Sequence, residues 1–296
     1  MYGFHRVICP KGAVPQAAEK VDNTPEILNP SEILIQVETL NLDSTSMKQI
    51  QDDCAGNSVG LTPMHAIEKI IRERGKMHNP VTNSGGVLLG QILSVGAQPG
   101  QYDSVRLGKK IVPLVSLSAI PLRIVSADSV DGDRVKVTGG TAILFSHYPL
   151  AVVPDDMSGE MALAVLDISS IVPQIERLIR PRMKILVIGC GKAGLTAMAV
   201  ARRRLKGMQI NAADYCEHQL FLAQRLGYAD HYWQMDASDA EQVYEFTKRI
   251  GFDLVVNCVN APNTETGSII AARPGGTVIF FSMATAFDKA ALGTDA

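Results

Sequence analysis

The chain carries two kinds of hydrophobic pattern, and one gives way to the other near residue 150. Before that point, apolar residues come in short runs separated by Gly, Pro and Asp. "SEILIQVETLNL" (31–42) alternates apolar and polar positions as a half-buried strand does. "GGVLLGQILSVG", "KKIVPLVSLS" and "TAILFSHYPLAVV" are further short β candidates. One helix interrupts them. Thr62 can cap it, Pro63 suits its first position, and Met64, Ile67, Ile70 and Ile71 form an apolar stripe that ends at Gly75. Strands rich in turns around one helix predict a partly open barrel.

The second half reads differently. "PDDMSGEMALAVLDISSIVPQIERLIRP" is mostly helical, with Pro181 at its end. Then follow a strand "MKILVIG", a helix "LTAMAVARRRLKG", a strand "MQINAADY" and a helix "CEHQLFLAQRLG", and later the strands "DLVVNCVN" and "GGTVIFFSMAT". Fully apolar strands alternating with helices predict a doubly wound parallel sheet. The expected organisation is therefore a strand-rich domain over residues 1–153 and an α/β domain over 154–296. No internal repeat or low-complexity segment appears.

Composition narrows the classes. A length of 296 residues allows about two domains. A formal net charge of −2 gives no electrostatic reason to expect nucleic acid or an anionic membrane surface. The opening "MYGFHRVICPKG" has no long apolar run, so no signal peptide or membrane anchor is expected. The five cysteines are scattered, without a C-x-x-C pair, which argues against a disulfide framework or a cysteine-rich zinc site and for a reduced, cytoplasmic setting.

"GCGKAG" places Gly189, Gly191 and Gly194 in G-x-G-x-x-G spacing between a buried strand and a helix. The first glycine permits a tight turn, the second lets the backbone approach a pyrophosphate, and the third allows close packing of helix on strand. Lys192 and Ala193 open that helix, whose N-terminus favours an anion. Asp214 lies 20 residues after Gly194, at the tip of the next strand, where an acid can bind ribose hydroxyls. A carboxylate there repels a 2′-phosphate, so the expected cofactor is NAD, with NADP as the second choice. Asn260 and Ser282 follow apolar strands and are expected at the cofactor crevice.

A strand-rich domain followed by a dinucleotide-binding one resembles the medium-chain dehydrogenase/reductase superfamily, whose first domain is GroES-like. In its zinc-dependent members a cysteine follows the strand written here "IQVETLNL", and a Gly-His-Glu triplet precedes the strand written "VLLGQILSVG". Those patterns fall on Asp43 and on Gly85, Gly86 and Val87. The resemblance therefore implies no zinc, and chemistry by organic side chains. "NLDSTS", "KMHNPVTNSGG", "LVSLSAIPLRI", "PDDM", "ALAVLD", "NCVNAPNTE" and "GGTVIFFSMATAFDKAALG" resemble more narrowly the L-erythro-3,5-diaminohexanoate dehydrogenase family. That likeness implies NAD(P)-dependent oxidative deamination in lysine fermentation, giving 5-amino-3-oxohexanoate and ammonia. It also implies a C-terminal continuation of several tens of residues, so that the chain ending at Ala296 is a truncated form, and a homodimer for the full-length chain.

Oxidising a C–N bond requires an amine stripped of its proton, and the substrate offers two ammonium groups and a carboxylate. Asp43 is the first candidate acid, since the superfamily pattern places it beside the nicotinamide; its competing role is to cap the following helical turn. His78 has an ordinary pKa of about 6.5, suited to proton transfer near neutrality, or it is a surface histidine. Thr82, with Asn83 and Ser84, can donate hydrogen bonds from its loop or simply form the turn. Asp167, in the apolar run "MALAVLDISSIV", either holds an ammonium or makes a structural hydrogen bond. Arg123 is a candidate for the substrate carboxylate, or a strand-edge solubility residue. Two other readings stand beside this one: a zinc-free quinone or enoyl reductase, and a non-catalytic dinucleotide-binding protein.

Overall fold

The computed structural model describes residues 2–27, 29–56, 60–98, 107–204, 206–282 and 285–292. These divide into two compact units, Met1–Asp167 and Ile168–Ala296. The division falls later than the 153/154 break in sequence pattern, because the first helix of the expected second domain packs on strands of the first unit.

The first unit begins with a short ribbon of β1 (Val7–Cys9) and β2 (Lys20–Val21). The long strand β3 (Glu32–Asn41) then leads into α1 (Ser44–Ala55) and α2 (Pro63–Arg74). After these come β4 (Val87–Val95), β5 (Lys110–Pro113), β6 (Leu122–Arg123), β7 (Ser126–Asp131), β8 (Arg134–Phe145), β9 (Leu150–Val152) and α3 (Gly159–Leu166). The strands form one antiparallel sheet in the order β6-β8-β3-β4-β5-β9, with β7 also on β8. The sheet is not closed, in keeping with the partly open barrel that the pattern predicts. "TAILFSHYPLAVV" is two strands, since Ser146–Pro149 turns the chain from β8 to β9, which pairs with β5.

Central β3 is hydrogen-bonded on both edges, to β4 and to β8. Ile33, Ile35, Val37 and Leu40 lie in one core with Leu88, Ile92, Ile143, Met47 and Ile67. Each such side chain contributes about 1.5–3 kcal/mol by leaving water. Helix α2 is built as its sequence indicates: Thr62 Oγ1 accepts from His65 N, and Gly75 ends the helix at φ 71°. Helix α1 has no comparable signal. Only Met47 and Ile50 of its apolar residues are fully buried, so its sequence has almost no amphipathic stripe to read. Arg6 and Glu32, both fully buried, pair through two 2.8 Å contacts and hold the chain start onto β3.

The second unit opens with α4 (Ile171–Leu178). The run expected to be mostly helical holds two helices, α3 and α4, separated by a turn at 167–170. Strand β10 (Lys184–Ile188) is followed by α5 (Lys192–Arg204), β11 (Gln209–Asp214) and α6 (Glu217–Leu226). Then come β12 (His231–Gln234), α7 (Ala240–Thr247), β13 (Phe252–Asn257), α8 (Glu265–Ala271), β14 (Ala272–Phe280) and α9 (Phe287–Leu292). The five strands are parallel, in the order β12-β11-β10-β13-β14. Apolar residues of α4, α5 and α6 cover one face, and those of α7 and α8 the other. Strand order reverses between β10 and β13, which sets the ligand crevice of such a sheet at their carboxyl ends. Met283, Ala284 and Gly293 of the closing motif lie outside the described residues. No helix among the described residues is long and apolar enough to cross a membrane.

Candidate active site

In the first unit, functional side chains gather where β3 runs into α1. Asp43 is the N-cap of α1, with Oδ1 accepting from Ser46 N at 2.8 Å. Its other oxygen, Oδ2, is buried and has no hydrogen-bond partner among the described residues. The capping role is real, yet it uses one carboxylate oxygen and leaves the second for something else. A buried, unsatisfied carboxylate oxygen is costly, so it marks a place for a donor.

Beside Asp43 stands a triangle of hydroxyls. Ser46 Oγ lies 2.5 Å from Thr82 Oγ1 and 2.6 Å from Ser84 Oγ, and the last two are 2.7 Å apart. Three hydroxyls have three protons, and a closed ring of mutual bonds uses all of them, leaving outward lone pairs. Such a face accepts hydrogen bonds and suits a cation. Thr82 is one corner of this triangle. Ser46 was not legible in advance, because only the fold shows which hydroxyls its side chain meets.

The loop carrying Thr82 and Ser84 is held by Asn79, whose Oδ1 accepts from Val81 N (2.9 Å) and whose Nδ2 donates to Gln49 (2.7 Å). Asn83 adopts φ 56°, a left-handed turn position. His78 is not the neutral-pH proton shuttle its ordinary pKa suggests. Burial first, then the Lys76 and Arg74 charges, push it down to about 4. At neutral pH it is an uncharged ring hydrogen-bonded to the Asn83 main chain, with Nδ1 3.4 Å from Arg74 Nη2. Asp167 caps the end of α3 and accepts from Asn41 Nδ2 at 3.3 Å. The structural bond is therefore present, and it ties Asp167 to the end of β3, two residues from Asp43. Arg123 is exposed on β6.

Gly85 and Gly86 leave no room for side chains. A Cβ on Gly86, at φ 101°, would stand 2.0 Å from the Asn41 carbonyl oxygen, and one on Gly85 would stand 2.6 Å from that of Met77. A histidine there would require a different backbone. Among the described residues, no group of three or more His, Cys, Asp or Glu is placed to hold a metal ion.

In the second unit the glycine loop has the stereochemistry of a dinucleotide cradle. Gly189 turns at φ 94°, and a Cβ on Gly194 would meet the Gly189 carbonyl oxygen at 1.8 Å. A Cβ on Gly191 would meet nothing within 4 Å, so its backbone faces open space. The first-turn N–H groups of α5, from Lys192 and Ala193 onward, have no carbonyl partners within the helix and face that end. Asp214 Oδ2 accepts from Cys190 N (2.6 Å) and Oδ1 from Cys216 N (2.7 Å), which fixes the carboxylate against the loop. The Cys190 thiol is pushed up to about 12 by burial and by Asp214, so it is inert.

Asn260 Oδ1 accepts from Ser282 Oγ at 3.5 Å, which brings together the ends of β13 and β14. The loop bearing Asn260 is anchored by Asn257, fully buried, which donates to Thr264 Oγ1 (2.8 Å) and Ser268 Oγ (2.9 Å) and accepts from Val259 N (2.9 Å). These residues fit a nicotinamide dinucleotide: an open cradle, a helix end and a fixed acid at the end of β11.

An unclosed antiparallel sheet followed by a five-stranded parallel sheet with this glycine loop defines a dehydrogenase of the medium-chain type. A quinone oxidoreductase of Pseudomonas syringae shares that fold (TM-score 0.53, 17% identity, 89% of this chain and 69% of that one). Residues 5–154 match the L-erythro-3,5-diaminohexanoate dehydrogenase N-terminal domain, and residues 193–292 match the family described as zinc-binding dehydrogenase. L-erythro-3,5-diaminohexanoate dehydrogenase of Acetoanaerobium sticklandii is 40% identical over 99% of this chain and 87% of its own. Its counterpart in Fusobacterium nucleatum is 39% identical over 99% and 86%. The chain belongs to the L-erythro-3,5-diaminohexanoate dehydrogenase family.

Proposed function

We propose that this chain is an NAD-dependent amine dehydrogenase that converts L-erythro-3,5-diaminohexanoate and water to 5-amino-3-oxohexanoate and ammonia, as a step of lysine breakdown. The observation that carries the reading is the 40% identity to a dehydrogenase of that name along 99% of the chain. The acceptor-rich group at the end of β3 supports it, because an ammonium needs acceptors where an alcohol oxygen would need a metal or a proton donor.

In this reading Asp43 receives the ammonium at substrate C3 through Oδ2 and takes its proton, leaving the lone pair free to drive oxidation. Thr82, with Ser46 and Ser84, orients the nitrogen. Asp167 supports this group through Asn41, and His78, neutral, holds the loop. The nicotinamide supplies a hydride acceptor when bound. Gly189, Gly191, Lys192, Ala193 and Gly194 cradle its pyrophosphate, Asp214 accepts from the ribose hydroxyls, and Asn260 and Ser282 complete the crevice. NADP is disfavoured by Asp214, and zinc has no part, since Gly85 and Gly86 stand where ligands would be. Five free thiols fit a reduced, cytoplasmic setting, and two copies are expected to pair.

The test is reduced-nicotinamide absorbance on adding 3,5-diaminohexanoate and NAD, with and without a chelator. Turnover unaffected by the chelator is expected. No turnover of the diamine, with reduction of a quinone or enone instead, would overturn the reading.

A further inference from the structure

A cation with no ion pair among the described residues lies beside His78, whose ring bonds the loop that carries Thr82 and Ser84. Arg74 is the last residue of α2, and its Nε is buried with no acceptor among the described residues. Among those residues it makes no ion pair, and its Nη2 approaches the neutral His78 ring at 3.4 Å. The nearby Lys76 ammonium is fully buried and donates to two main-chain carbonyls, Pro15 O (2.6 Å) and Gln16 O (3.0 Å). Among the described residues neither side chain makes an ion pair with a carboxylate. Burial and the Arg74 charge push Lys76 down to about 7, and the same causes depress His78. Both depressions come first from burial and second from neighbouring positive charge.

A guanidinium edge with an unmet N–H matches a carboxylate, which it can grip with two parallel bonds. His78 connects this edge to the rest of the group, for its ring also bonds the Asn83 main chain, between Thr82 and Ser84. Arg123, by contrast, is exposed. We propose that Arg74 is the specificity-determining residue that binds the carboxylate of the amino-acid substrate, while Asp43 and the hydroxyls take its ammonium. This rests on the function proposed above.

The experiment compares 3,5-diaminohexanoate with 2,4-diaminopentane, which has the same two amines and no carboxylate. Arg74→Gln should lower kcat/KM for the acid by about 30-fold or more, mostly through KM, the scale of losing one partner of a desolvated charge pair. Turnover of diaminopentane should stay within about threefold, and NAD affinity within about twofold. Arg74→Lys, which keeps the charge and loses the fork, should give an intermediate loss on the acid alone. Equal losses on both substrates would make Arg74 merely structural. A loss of NAD affinity with discrimination intact would place the guanidinium at a cofactor phosphate; either result overturns the proposal. Calorimetric binding of 3-aminobutyrate, against 2-aminopropane, reads Arg74 without turnover. The acid should bind the parent chain and lose affinity in Arg74→Gln. Equal affinity for both chains, or none for the parent, overturns the carboxylate role, whereas absent turnover of the diamine alone overturns only the activity.

Discussion

Gly194→Ala and Gly191→Ala should separate what the glycine loop does for folding from what it does for the cofactor. The Gly194 Cβ would stand 1.8 Å from the Gly189 carbonyl oxygen and 3.0 Å from its carbon. An ordinary contact is about 3.5 Å, so helix α5 and the loop must part by about 1.7 Å. Both sides of the contact are backbone, and Gly189 is already held at φ 94°, so no side chain can swing away. Overpacking of this kind costs about 1–3 kcal/mol, and rigid partners place this case near 2–3. For a unit of this size that lowers the unfolding midpoint by roughly 6–15 °C. The single tryptophan, Trp233 on β12, reports on this unit by fluorescence. NAD affinity should fall by about tenfold or more, or 1.4 kcal/mol, because the α5 N–H groups move with the helix. Gly191→Ala meets no protein atom within 4 Å, so its midpoint should be unchanged while NAD binding weakens comparably, the methyl group entering the space left for pyrophosphate. A Gly194→Ala protein that melts and binds NAD like its parent would refute this account of the loop. So would a Gly191→Ala protein with normal NAD affinity.

Three further outcomes are expected. Asp43→Asn keeps an oxygen to accept from Ser46 N but removes the charge; kcat/KM for the diamine should drop by about 10²–10⁴ at nearly unchanged NAD affinity, and parent-like turnover would reduce Asp43 to a helix cap. The parent should prefer NAD over NADP in kcat/KM, and Asp214→Ser should narrow the gap; a clear NADP preference in the parent would contradict the role given to Asp214. His78 is held at about 4 in the folded chain against about 6.5 unfolded, so the unfolded state binds the extra proton in between. Its contribution to stability is complete above pH 6.5 and is lost as pH falls towards 4, by about 3 kcal/mol in all. Urea unfolding across that range should show the loss, and His78→Gln should flatten it; equal slopes in both proteins would mean His78 titrates normally.

Local chemistry determined much of this protein outright. Helix α2 begins at Thr62 and ends at Gly75 because a capping hydroxyl and a residue free to adopt φ 71° act within one turn. The glycine loop and the position of Asp214 were legible because a strand, a tight turn and a helix follow one another along the chain, in the order of a dinucleotide-binding fingerprint. Even the absence of side chains at Gly85 and Gly86 could be read, though not its cause, the Asn41 and Met77 carbonyls that crowd them. Helix α1 escaped notice, since a helix covering the core with little more than Met47 and Ile50 leaves no amphipathic stripe. What only the tertiary structure decided is who meets whom. Ser46 and Ser84 are 38 residues apart, and nothing in either neighbourhood records that their hydroxyls touch. The same holds for Asn41 and Asp167, brought together across 126 residues. Side-chain environment is likewise a long-range property. His78 has an ordinary histidine's pKa in isolation and loses it to burial and two neighbouring cations, because solvation and charge depend on distance in space, and spacing along the chain does not carry that information.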